Sequence, residues 1–63
     1  MLVKVKLKIG TYTYINPLYV GAVGENYKGE TCICVLGDKE AYVVYGTVDE
    51  IATRINNALE EMR

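Results

Sequence analysis

The sequence predicts an α+β domain: an antiparallel sheet of four or five short strands followed by one C-terminal amphipathic helix packed on one face. Three observations predict it. From Thr47 to Met62, apolar residues fall at Val48, Ile51, Ala52, Ile55, Ala58, Leu59 and Met62, the i, i+3, i+4, i+7 spacing of one helix face. From Leu2 to Ile9, apolar and lysine side chains alternate strictly, the period of a half-buried strand. Between these two stretches, short runs of β-forming residues are separated by turns too short for anything but antiparallel neighbours. The reading is one βββββα domain spanning residues 1–63.

Taken in order, the first strand places Val3, Val5, Leu7 and Ile9 on one face and Lys4, Lys6 and Lys8 on the other. Charge on the outward face suits an edge position, where it discourages unwanted pairing. Gly10 and Thr11 allow a reversal into a second strand, Tyr12 to Ile15, which Asn16-Pro17 ends: proline has no N–H for a ladder, and an asparagine side chain closes a turn. A third strand runs from Tyr19 to Glu25, diluted by Gly21 and Gly24, where the backbone bulges or another chain comes close. Thr31 to Leu36 is apolar on both parities and reads as a strand buried on both sides. Gly37-Asp38-Lys39 turns the chain into a fifth strand, Ala41 to Tyr45, and Gly46 breaks the sheet. Thr47, with Glu50 three residues later, is a capping box that starts the helix, and Glu50 and Arg54 form an i, i+4 pair on its polar face.

Composition narrows the function classes. A chain of 63 residues buries only about 60% of its unfolded surface, so a second copy of the chain is the expected source of extra stability. One helix covers one sheet face, and the apolar residues left on the other face of the last three strands point to the same homo-oligomer. The net charge of −1 provides no global field for nucleic acid or an anionic membrane. Its distribution is uneven: Lys4, Lys6 and Lys8 are the only charges before Glu25, and from Glu25 onward the remaining four bases face all eight acids. No apolar run approaches a membrane span and no signal-peptide pattern opens the chain, which gives the expectation of a soluble cytoplasmic protein.

Catalytic chemistry finds little to work with. There is no histidine, the one side chain whose ordinary pKa lies near neutrality. The acids flank turns or sit on the helix, where solvent leaves carboxylates unperturbed. Cys32 and Cys34 lie on one side of one strand, a poor disulfide geometry, and no third or fourth metal ligand accompanies them; they read as small core side chains. No glycine pattern matches a dinucleotide loop or a P-loop. The expectation is a non-enzyme with no metal and no cofactor.

Six tyrosines with no tryptophan or phenylalanine are the remaining signal. Tyr12, Tyr14, Tyr19, Tyr42 and Tyr45 suit strands, with hydroxyls reaching water at sheet margins. Four of them, Tyr12, Tyr14, Tyr19 and Tyr42, together with Lys4, Lys6 and Lys8, form the candidate ligand- or partner-binding set: rings to stack on a planar group and amines to hold phosphates.

Ile15-Asn16-Pro17, the apolar positions after it, the Gly37 hairpin and Thr47-Val48-Asp49-Glu50-Ile51 leading to Ile55 resemble the FlbD family of small flagellar and swarming-motility proteins and its unassigned relatives. The resemblance runs from Leu7 to Ile55; Gly21 to Gly24 stand where that family has an acidic stretch. It implies a non-enzymatic interaction module and brings no catalytic residues. Three functions follow: a homo-oligomeric binding or adaptor module engaging a protein partner; a small phage-type protein sequestering a nucleotide-like ligand between subunits; and a single-stranded nucleic-acid binder, against which the overall acidity argues.

Overall fold

A computed structural model describes all 63 residues. Five strands and one helix follow in the expected order: β1 (Val3–Lys6), β2 (Tyr12–Ile15), β3 (Val20–Glu25), β4 (Thr31–Val35), β5 (Tyr42–Val44) and α1 (Val48–Glu61). The strands form two antiparallel sheets, β1-β2 and β3-β4-β5. A bridge between Leu7 and Val44 joins them, with Lys8 N–H donating to the Val43 carbonyl at 3.0 Å and Tyr45 N–H to the Lys6 carbonyl at 3.0 Å. The spatial order is therefore β2-β1-β5-β4-β3. β1 meets β5 only at its end, through Lys6, Leu7 and Lys8, and has no strand on that side over Val3 to Val5, so Lys4 stands on an open edge as expected and Lys6 and Lys8 do not; β2 and β3 are edges throughout.

Val3 and Val5 point inward from β1 and Ile15 from β2. With Ile33, Val44 and the helix residues Ile51, Ile55 and Ala58 they make a core of eight apolar side chains. β1 is shorter than the alternation implies. The reversal already begins at Leu7, whose carbonyl accepts from Gly10 N–H and whose N–H reaches the Thr11 carbonyl, and this leaves Ile9 in the turn at 83% exposure.

Asn16-Pro17 does more than end β2. The Asn16 side chain accepts from Leu18 N–H, Pro17 occupies the first turn where its missing N–H costs nothing, and a short 3₁₀ turn, Pro17–Tyr19, results. Tyr19 thus leaves the third strand, which starts at Val20. The ladder slips between Val20 and Ala22, and this slip sends both Val20 and Val23 toward the core. Gly21 sits at the slip with the Leu36 side chain over it; a β-carbon there would lie 3.1 Å from Leu36 Cδ2.

The fourth strand is not buried on both sides. Thr31 and Ile33 point inward, while Cys32 is half-buried and Cys34 exposed. An apolar residue of each parity reads as two buried faces, but only one layer lies against this sheet. The reading of both cysteines as core side chains is corrected accordingly. Buried Thr31 donates its hydroxyl to the Gly46 carbonyl at 2.7 Å, fastening β4 to the turn before the helix.

The helix begins where the capping box places it. Thr47 Oγ1 accepts from Glu50 N–H at 3.1 Å and Glu50 Oε1 accepts from Thr47 N–H at 3.0 Å. With Glu50 turned back to the cap, the expected Glu50–Arg54 pair does not form. The Arg54 guanidinium instead donates to the backbone carbonyl of Lys4. α1 packs across β1, the 3₁₀ turn and β3, on the inward face of both sheets.

Candidate functional site, a lysine–tyrosine ladder

The outward face of the β1-β2 hairpin is built by register. Lys4 stands opposite Tyr14 and Lys6 opposite Tyr12, and because Val3, Val5 and Ile15 take the core side, all four of these project outward. On the other flank of β1 the bridge to β5 brings in Tyr45, whose neighbour Val44 is fully buried and which therefore faces out.

The result is an alternating row. Lys4 Nζ lies 4.6 Å and Lys6 Nζ 5.8 Å from the centre of the Tyr12 ring; Lys6 Nζ lies 5.4 Å and Lys8 Nζ 4.6 Å from that of Tyr45. Tyr12 from β2 and Tyr45 from the end of β5 flank Lys6 on its two sides, with Tyr14 beside Lys4 and the Lys8 amine against Tyr45. All three lysines are exposed, as are Tyr12, Tyr14 and Tyr45. Amine-over-ring contacts of this exposed kind are worth about 0.5–1 kcal/mol each, enough to hold the amines upright and little enough to be exchanged for a ligand.

No carboxylate neutralises the row. The chain's one ion pair within 4 Å joins Arg63 to Glu60 at the end of α1. Glu50 is committed to the cap, Glu30 accepts from the Asn26 amide and Asp38 accepts from Tyr42. Three positive charges therefore stand together on a chain whose net charge is −1.

Five of the seven expected residues, Lys4, Lys6, Lys8, Tyr12 and Tyr14, meet on this face. Tyr19 and Tyr42 do not join them. Tyr19 ends the 3₁₀ turn, its carbonyl accepting from Leu36 N–H at the far end of β4. Tyr42 shares the parity of buried Val44, its ring half-buried against the core and its hydroxyl donating to Asp38 at 3.2 Å. That hydrogen bond, and then the carboxylate's charge, raise the Tyr42 phenol above its usual pKa. Tyr45, legible only as a strand residue, takes the place of both. Its signal was the pairing of β5 with β1, which neighbouring segments of sequence do not reveal.

The surface of the ladder is open. The deeper concavities lie elsewhere, one between Glu25, Thr31 and the start of α1, another between β3 and α1. No group of three or more histidine, cysteine, aspartate or glutamate side chains is placed to hold a metal ion. No helix is long and apolar enough to cross a membrane. Comparison with protein-family models, curated proteins and solved structures gives no match to the chain.

Proposed function

We propose that the chain is a non-enzymatic binding module whose lysine–tyrosine ladder engages a phosphate-bearing ligand. The observation that carries this is the un-neutralised row of Lys4, Lys6 and Lys8 interleaved with tyrosine rings. A cluster of like charge without counter-charges raises the energy of the empty face, and an anion placed there relieves it. The resemblance to the small FlbD proteins favours the same class, an interaction module without catalytic groups.

The test is tripolyphosphate binding, followed by amide chemical shifts at low salt. Tripolyphosphate should move the signals of Lys4, Lys6, Lys8, Tyr12 and Tyr45, and the doubly substituted Lys4→Glu/Lys6→Glu chain should bind at least tenfold more weakly with its fold retained. Equal binding by the two chains would sink the proposal.

Self-association is a second reading, favoured by a separate observation. β2 and β3 each pair on one side only, and Met1, Leu2, Leu18 and Leu36 are all more than half exposed. The chain exposes 4461 Å², against about 4,000 Å² expected for a monomer of its mass. Light scattering at micromolar concentration tests it, and a monomeric mass there would remove it.

A further inference from the structure

We infer that the ligand of the ladder is a single-stranded nucleic acid, lying along β1 with its phosphates on Lys4, Lys6 and Lys8 and its bases on Tyr12 and Tyr45. This rests on the anion-binding reading above and names the anion.

Same-face residues of a strand are about 6.7 Å apart, twice the rise per residue. Lys4 and Lys6 are therefore set out on β1 at a spacing comparable with that of successive phosphates along an extended, unstacked single strand, and Lys8, in the turn that follows, adds a third amine against Tyr45. A compact triphosphate can meet these amines but leaves the flanking rings unused.

The rings add the second half of the argument. Tyr12 lies within reach of the Lys4 and Lys6 amines from the β2 side, and Tyr45 within reach of those of Lys6 and Lys8 from the β5 side. Bases swung to either side of an extended, unpaired backbone lying on the lysines would meet these two rings. A duplex would present phosphates but keep its bases stacked inside, leaving both rings unused. Exposed tyrosine faces beside a basic track are the stacking platforms that sequence-tolerant single-strand binders require.

Openness points the same way. A small ligand needs a concavity that buries most of its surface, and the ladder is an exposed sheet face. A strand gains affinity by length along such a face instead. The chain's overall acidity is compatible with this, since the eight acids lie at the end of β3, on the turns after β3 and β4 and on α1, outside the row. No arginine, asparagine or glutamine side chain stands in the row to read base edges, so binding should be indifferent to sequence.

The experiment measures fluorescence anisotropy of a labelled ten-residue oligothymidylate, with tripolyphosphate and polyglutamate as competitors. Three neutralised phosphates at about 0.7 each predict a slope of log affinity on log salt near −2. Tyr12→Thr and Tyr45→Thr, which keep strand propensity, should each weaken the oligonucleotide about fivefold or more while leaving tripolyphosphate binding unchanged. Tyr12→Phe should bind as the parent does, and Tyr27→Thr, on an exposed ring away from the ladder, should have no effect.

If tripolyphosphate binds but the oligonucleotide is indifferent to the tyrosine substitutions, or polyglutamate competes as well as the oligonucleotide does, the nucleic-acid assignment is overturned and the anion reading stands. If neither tripolyphosphate nor oligonucleotide binds, both fall.

Discussion

Arg54, on the second turn of α1, donates its guanidinium to the backbone carbonyl of Lys4, fifty residues earlier in the chain. In a strand, carbonyls two residues apart point the same way, so the Lys4 carbonyl faces the side on which the Lys6 carbonyl receives Tyr45 N–H. β5 has by then turned away into Gly46, and the helix provides the donor that the sheet does not. The first lysine of the ladder is thereby anchored through its backbone while its amine stays free.

Replacing Arg54 with methionine keeps the apolar stem and removes the donor. We expect a loss of about 1 kcal/mol, the net worth of a typical hydrogen bond, and a Tm lower by about 4–8 °C in a domain of this size. A thermal melt followed by circular dichroism checks it; an unchanged Tm would show that solvent serves the Lys4 carbonyl equally well.

The cap of α1 makes stability depend on acid. The Glu50 carboxyl is held below its usual pKa, chiefly by the hydrogen bond from Thr47 N–H and further by the Thr47 hydroxyl. A carboxylate depressed in the folded state stabilises above its unfolded value, near 4.3, and that contribution is lost as pH falls through the folded value. Glu50→Gln should therefore flatten the acid limb of the stability curve and leave the neutral-to-alkaline limb parallel to the parent. Thr47→Ala, which removes the hydroxyl cap, should cost about 1 kcal/mol at neutral pH.

The two cysteines should separate by accessibility. Cys34 is exposed, whereas Cys32 is half-buried with its thiol directed at the Glu30 carbonyl 3.7 Å away. Brief treatment of the folded chain with iodoacetamide should label Cys34 first, as peptide mass spectrometry would show. Equal labelling, or none before denaturation, would contradict the orientation of β4.

Local chemistry was legible in the sequence, and pairing at a distance was not. The Thr47–Glu50 cap, the Asn16-Pro17 stop and the Leu2–Ile9 alternation each follow from residues within a few positions of one another. So does the outward row of lysines. The rest depended on which strands become neighbours. The end of β1 meets β5, and that one contact brings in Tyr45 and closes part of the edge that the lysines mark, while the pairing of Tyr42 with inward Ile33 puts Tyr42 on the inner face. The single slip at Gly21 likewise changes which valines of β3 are buried, because a one-residue shift exchanges the faces of a strand.

The make-up of the core has a consequence for the order in which this protein can acquire its shape. Val3 and Val5 come from the first strand, and Ile51, Ile55 and Ala58 from the last element, with Ile15, Ile33 and Val44 between them. During synthesis from the N-terminus, the β1-β2 hairpin emerges with nothing to cover its apolar side, and an isolated hairpin is marginal in water. Only when α1 has left the ribosome is the apolar face of the first strand covered. Folding is thus a single late event of the whole chain, and a ribosome-bound fragment ending before Val48 should stay open to proteases throughout its length.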